Sequence, residues 1–153
     1  MTGGVPGRMA AAGLVLPPLS PAIGNFERAV EVGPLLYVSG QAPLDAAGRT
    51  LTGKADVVGL IEARRRAGLT ALSLLASVDA VPGRLERLDG VVRLLGMVNA
   101  GPGFAAADSV LDGCSDLFET VLPGGHARTT IVLPSLPGDI TVEIEAVFRM
   151  TKP

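Results

Sequence analysis

Cysteine, tryptophan and histidine are almost missing from this chain of 153 residues, which has one cysteine (Cys114), no tryptophan, one histidine (His126) and only 3% aromatic residues. A single cysteine excludes an intrachain disulfide and any cysteine-based metal knuckle, and points to a reducing, cytoplasmic compartment. With one histidine beside it there is no metal-ligand set, so neither metal nor cofactor is expected. No apolar run reaches the roughly 20 residues of a membrane span, so no membrane partner is expected. Basic excess is missing too: the formal charge is −2 and the pI near 5.3, which argues against nucleic acid as a general partner. Arg8 ahead of a short apolar stretch ending at Pro17-Pro18 resembles a signal peptide, but its basic part is weak and the stretch too short. What remains is apolar: 48% hydrophobic residues and a mean hydropathy of +0.44 describe a folded domain rather than a disordered chain.

Residues 1–24, rich in Gly, Pro and Ala, read as a loose N-terminal arm with a helical turn, and residues 25–153 as a single domain. The β-prone runs FERAVEV and LLYVSG, separated by Gly33-Pro34, predict a hairpin. Residues 56–77 predict one helix with Leu60, Ala63, Ala67, Ala71 and Leu74 on its packed face, and Glu62, Arg65 and Arg66 on a solvated one. The nearly continuous apolar run at 91–98 predicts a strand covered on both sides. A second helix follows over 107–122, with Val110, Cys114, Leu117 and Val121 buried, and then strands over 127–133 and 140–150 joined by PSLPGD. This order predicts an α+β layer, with both helices on one face of a mixed sheet.

If the last two strands close as a hairpin, Thr130 lies opposite Glu143 and Arg128 opposite Glu145, all on the face away from the core. Such a patch is either a solvated cross-strand ion pair or a site where a guanidinium grips a carboxylate while a glutamate handles water or a proton. Alternation alone leaves both open.

The runs YVSGQAP (37–43), SDLF (115–118), HAR (126–128), LPGD (136–139) and VEIEA (142–146) resemble the RidA/YjgF family of imine deaminases, in its longer branch with an extended N-terminal arm. The similarity spans about Leu14 to Arg149. It implies a chorismate-mutase-like fold and a homotrimer with ligand clefts between subunits. It further implies hydrolysis of short-lived enamines or imines of 2-oxo acids, of the 2-aminoacrylate type, to the oxo acid and ammonia. By the same resemblance Arg128 binds the substrate carboxylate, Glu143 positions the hydrolytic water, and backbone at Gly40 contacts the ligand. Three further candidates depart from the family pattern: Thr130 stands where a cysteine is usual, Asp112 where an asparagine is common, and Phe26 where a tyrosine is expected. Pro123, Gly124 and Gly125 reshape the loop before HAR.

The alternatives are a non-catalytic binder of a small carboxylate metabolite and, from the family's older label, an endoribonuclease, which the acidic pI and missing aromatic-basic platform disfavour. His126 reads as a loop residue and Cys114 as a small buried hydrophobe. A Ser115, His126, Asp116 triad can be written down, but no nucleophile elbow accompanies it.

Overall fold

The computed structural model describes residues 3–153. Its sheet contains β1 (Ala29–Val32), β2 (Leu35–Gln41), β3 (Leu88–Asn99), β4 (Ala127–Leu133) and β5 (Val142–Met150), in the spatial order β1-β2-β5-β3-β4. All neighbouring pairs are antiparallel except β3 and β4, which are parallel. A parallel pair needs a crossover, and helix α4 (Ala107–Val121) supplies it. The long helix α3 (Leu60–Asp79) connects β2 to β3, and its Ala63, Ala67, Ala71 and Leu74 are fully buried. The arrangement is the expected α+β layer, a mixed sheet with helices packed on one face.

Close approach of the two helices depends on glycine. A Cβ on Gly113 would stand 2.0 Å from the Arg64 carbonyl oxygen, and one on Gly68 3.3 Å from that of Gly113. A Cβ on Gly96 in β3 would meet Leu111 Cδ1 at 2.2 Å, so that glycine is the seat of α4 on the sheet. Phe118 and Phe148 complete the core between helix and sheet as an edge-to-face pair 5.5 Å apart.

Several local expectations change. The helix at 56–77 is broken at Gly59, whose φ of 92° separates a short α2 (Ala55–Val58) from α3; Leu60, at the break, is exposed. Arg66 does not sit on a solvated face: besides Glu62 it donates to the Thr52 carbonyl and to Thr141 Oγ1, at 2.6 and 2.9 Å. The helical turn of the arm is α1 (Val5–Ala11), and it is not loose, since its Val5 and Met9 join the core. Arg8 donates to the Val121 carbonyl at the end of α4, satisfying an acceptor that the helix leaves unpaired.

The largest correction concerns the last two strands, which do not form a hairpin. β3 lies between them, pairing with β4 on one side and β5 on the other. The apolar β3 gains most from the interior position, while the more polar β4 tolerates an edge. Residues 134–141 step across β3, held by the buried Asn99, whose Nδ2 donates to Asp139 Oδ1 and to the Ile140 carbonyl, both at 3.0 Å.

Candidate functional site

The strand order divides the candidate residues between two places. In register, Arg128 and Ala146 flank Leu94, which is fully buried under the helices, whereas Ile131 and Glu143 flank Met97 on the face without helices. Arg128 and Thr130 are therefore on the helix side, and Glu143 and Glu145 on the open side. Two strand spacings, about 10 Å, also separate β4 from β5. The expected Thr130–Glu143 and Arg128–Glu145 neighbours are thus corrected. Glu145 instead faces Arg93, 4.0 Å away.

Arg128 reaches up to α4. Its Nη1 donates to Asp112 Oδ1 at 2.9 Å and to Ser115 Oγ at 3.0 Å, and its Nη2 lies 3.4 Å from Asp108 Oδ1. Two carboxylates thus converge on one guanidinium. Asp112 points at Arg128, and the pairing leaves this cluster with a formal surplus of negative charge. Ser115 Oγ also lies 2.9 Å from His126 Nε2. Burial and the Arg128 charge both hold the imidazole below its usual pKa, so it is neutral at pH 7. The triad on paper is not assembled, because Asp116 pairs with Arg64 at 2.6 Å. Burial pushes the Cys114 thiol up, leaving it inert. Thr130 lies beside Gly96, with its Oγ1 buried and without a hydrogen-bond partner among the described residues.

Glu143 occupies different surroundings. The pairing of β2 with β5 slips between Val38 and Gln41, so that Ser39 and Gly40 form a bulge. Gly40 there lies against the Glu143 side chain: a Cβ on it would be 2.8 Å from Oε1. Bulged strand and glutamate border a cleft of about 290 Å³, lined also by Ser20, Phe26 and Arg28. Withdrawal from water raises the Glu143 carboxyl above its ordinary pKa, and the neighbouring Glu145 charge adds to the rise. Of the named candidates, the cleft thus gathers Glu143, Gly40 and Phe26, while Arg128, Asp112 and Thr130 lie at the other place.

Arg28 is the residue that sequence reasoning missed. Its guanidinium donates to the Ser20 carbonyl and, at 3.3 Å, to Gln41 Oε1. A signal was present, since Phe26, Arg28, Val30 and Val32 alternate onto one side of an extended run. Among the described residues, no group of three or more His, Cys, Asp and Glu side chains could hold a metal ion, and no helix is long and apolar enough to cross a membrane.

Comparison with known proteins follows the same lines. The model of a family described as YjgF/chorismate mutase-like, putative endoribonuclease, matches residues 6–144. Protein TCP17 of Trypanosoma cruzi is 32% identical over 152 residues, covering 94% of this chain and 95% of its own length. RutC family protein y4sK of Sinorhizobium fredii is 31% identical over 132 residues, covering 85% and 90%. The crystal structure of Atu1372, a protein with unknown function from Agrobacterium tumefaciens, matches with a TM-score of 0.84 at 36% identity, over 96% of this chain and 94% of that one.

Proposed function

The chain belongs to the YjgF/chorismate mutase-like family, and from that premise we propose that it hydrolyses small enamine or imine derivatives of 2-oxo acids to the oxo acid and ammonia. The observation that carries the reading is Glu143, half-buried in a cleft against bare backbone at Gly40, with its pKa raised.

A carboxylate in that state suits a proton shuttle, because general acid–base catalysis is most efficient when the group's pKa lies near the operating pH. An enamine substrate first tautomerises to the imine. Glu143 then takes a proton from water as its oxygen bonds to the C=N carbon, giving a carbinolamine. That proton passes to nitrogen to complete the neutral carbinolamine; the carbinolamine hydroxyl proton then passes through Glu143 to nitrogen as the C=O bond forms and the C–N bond breaks, and ammonia leaves. Water adds across C=N and ammonia is lost, so no oxidant, reductant or metal enters the balance.

We further propose a homotrimer, in the cytoplasm, with the ligand cleft completed between subunits. Two features support it. The sheet face without helices exposes Val30, Val32, Tyr37 and Ile131, an apolar surface that subunit closure would cover. Arg128 and Glu143, on opposite faces of one sheet, meet a common substrate only if subunits are juxtaposed.

A second reading, non-catalytic binding of a small carboxylate metabolite, is favoured by one observation: Asp108 and Asp112 already occupy Arg128, which takes it from the reaction, while the Glu143 cleft keeps another cation, Arg28. The test is to generate 2-aminoacrylate in situ and follow pyruvate release. Wild type is expected to accelerate release over buffer, and Glu143→Gln to remove most of that acceleration. No acceleration by wild type, or equal rates for the two proteins, overturns the hydrolase; saturable binding without turnover then leaves the binder. Labelled RNA incubated with the same preparations checks the endoribonuclease label, for which the charge of −2 provides no electrostatic support.

A further inference from the structure

We propose that Arg28 is the carboxylate-binding residue of the Glu143 cleft, and that the cleft takes a small molecule with an anionic group for Arg28 and a nitrogen or adjoining water for Glu143. The inference rests on Glu143 marking the reacting end and adds the anchor at the other.

The two charged side chains line one cleft, yet neither has an ion-pair partner within 4.0 Å among the described residues. A cation and a carboxylate that share a cleft without pairing leave room between them for a ligand of complementary polarity. What holds Arg28 is neutral: the Ser20 carbonyl and the Gln41 side-chain oxygen accept two of its N–H groups. Neutral acceptors orient the guanidinium fork without cancelling its charge, and the other donors of the five stay available for a planar carboxylate.

The surroundings fit the same class of ligand. Phe26, 52% exposed, provides an apolar flank beside the charged groups. Gly40 lets a small substrate approach backbone where any Cβ would press on Glu143. A cleft of about 290 Å³ has ample room for a short-chain acid and lies at the small end of small-molecule pockets. Because Arg28 and Glu143 come from one subunit, this arrangement orients a substrate even before a neighbouring subunit contributes.

Arg28 also ties residue 20 to β2, so the experiment must separate charge recognition from tethering. Binding of 2-oxobutanoate and of its methyl ester is measured by calorimetry at pH 7 for wild type, Arg28→Gln, Arg28→Lys and Arg65→Gln, the last removing an exposed charge on α3. Wild type and Arg65→Gln are expected to prefer the acid by tenfold or more; Arg28→Gln loses the preference and Arg28→Lys keeps part of it. In turnover, Arg28→Gln is expected to raise KM for 2-iminopropanoate at least tenfold, with kcat within about threefold. An acid preference that survives in Arg28→Gln, or a wild type that binds neither compound, overturns the proposal. Should Arg28→Gln not fold, as melting would show, the reduced preference of Arg28→Lys decides. Arg28-dependent acid binding without turnover overturns the hydrolase reading alone, whereas turnover insensitive to Arg28 overturns this inference alone.

Discussion

Two arginines in this molecule are held in opposite ways. Arg128 is enclosed by Asp108, Asp112 and Ser115, so its charge is spent inside the chain. Arg28 is steadied by a carbonyl and an amide oxygen, and its charge remains directed at a cleft that also contains a carboxylate. A guanidinium shared by two carboxylates is a structural tie with residual polarity, while one positioned by neutral acceptors is equipped to receive an anion. The side chain that a family pattern marks for ligand binding is therefore not the only cation to consider, and within a single subunit it is not the better placed one.

The strongest way to break the comparison is to remove the reacting group. Glu143→Gln is expected to lower kcat about 100-fold or more, the lower end of what a positioned acid–base group contributes, while leaving Arg128 and its aspartates untouched. It should at the same time stabilise the protein at neutral pH. A carboxyl whose pKa is raised in the folded state is favoured in its neutral form there. Its contribution to stability is complete below the unfolded pKa near 4.5 and is lost as pH rises through the folded value. The melting temperature of Glu143→Gln should exceed that of wild type at pH 7, and the gap should close as pH falls below 4.5. Turnover by wild type should rise with pH through a midpoint above 4.5. A variant that melts lower at pH 7 would show that the glutamate is structural.

Glycine substitutions sharpen the same contrast at smaller amplitude. On the Arg128 side, Gly113→Ala drives a Cβ to within 2.0 Å of the Arg64 carbonyl oxygen, where only movement of a whole helix gives relief. The expected loss is about 3 kcal/mol, the upper end for overpacking, read as a lower denaturant midpoint. On the Glu143 side, Gly40→Ala meets the mobile end of a carboxylate at 2.8 Å. Stability should change little and activity fall about tenfold, because the displaced group is the one assigned to water. Equal destabilisation by the two substitutions would remove the distinction between a packed frame and an adaptable cleft.

How the sequence led to one arginine and not the other has a physical explanation. Helix α4, the core face of β5 and strand β2 were all legible, because periodicity reports which residues share a face. It does not report which strand lies next door. Placing Arg128 and Thr130 on the face away from the core turns Ile131 and Leu133 inward, as alternation along β4 requires. The interposed β3 instead turns Ile131, 39% exposed, to the open face and places Arg128 beneath α4. Asn99, which holds the connection across β3, is one polar residue at the end of an apolar run, and nothing in its spacing announces that role. Arg28 was obscured because its meaning depends on residue 20 folding back beside it, a contact that no local pattern encodes.

The smallest effect offers the most direct reading of the charge left on Arg128. Ser115 Oγ accepts from Arg128 and is hydrogen-bonded to His126 Nε2, so the imidazole senses the guanidinium through a single hydroxyl. Burial is the first cause of its lowered pKa and Arg128 the second, with Glu119 opposing them. Arg128→Gln should move the His126 midpoint up by a few tenths of a unit, and Asp112→Asn should move it further down. Proton NMR of the one histidine in the chain resolves both shifts. The stability linked to this group should fade in wild type as pH falls below the unfolded value near 6.5, since the folded state resists the proton that the unfolded chain accepts. A midpoint indifferent to both substitutions would mean that the imidazole does not sense the Arg128 cluster, and burial alone would then hold its pKa down.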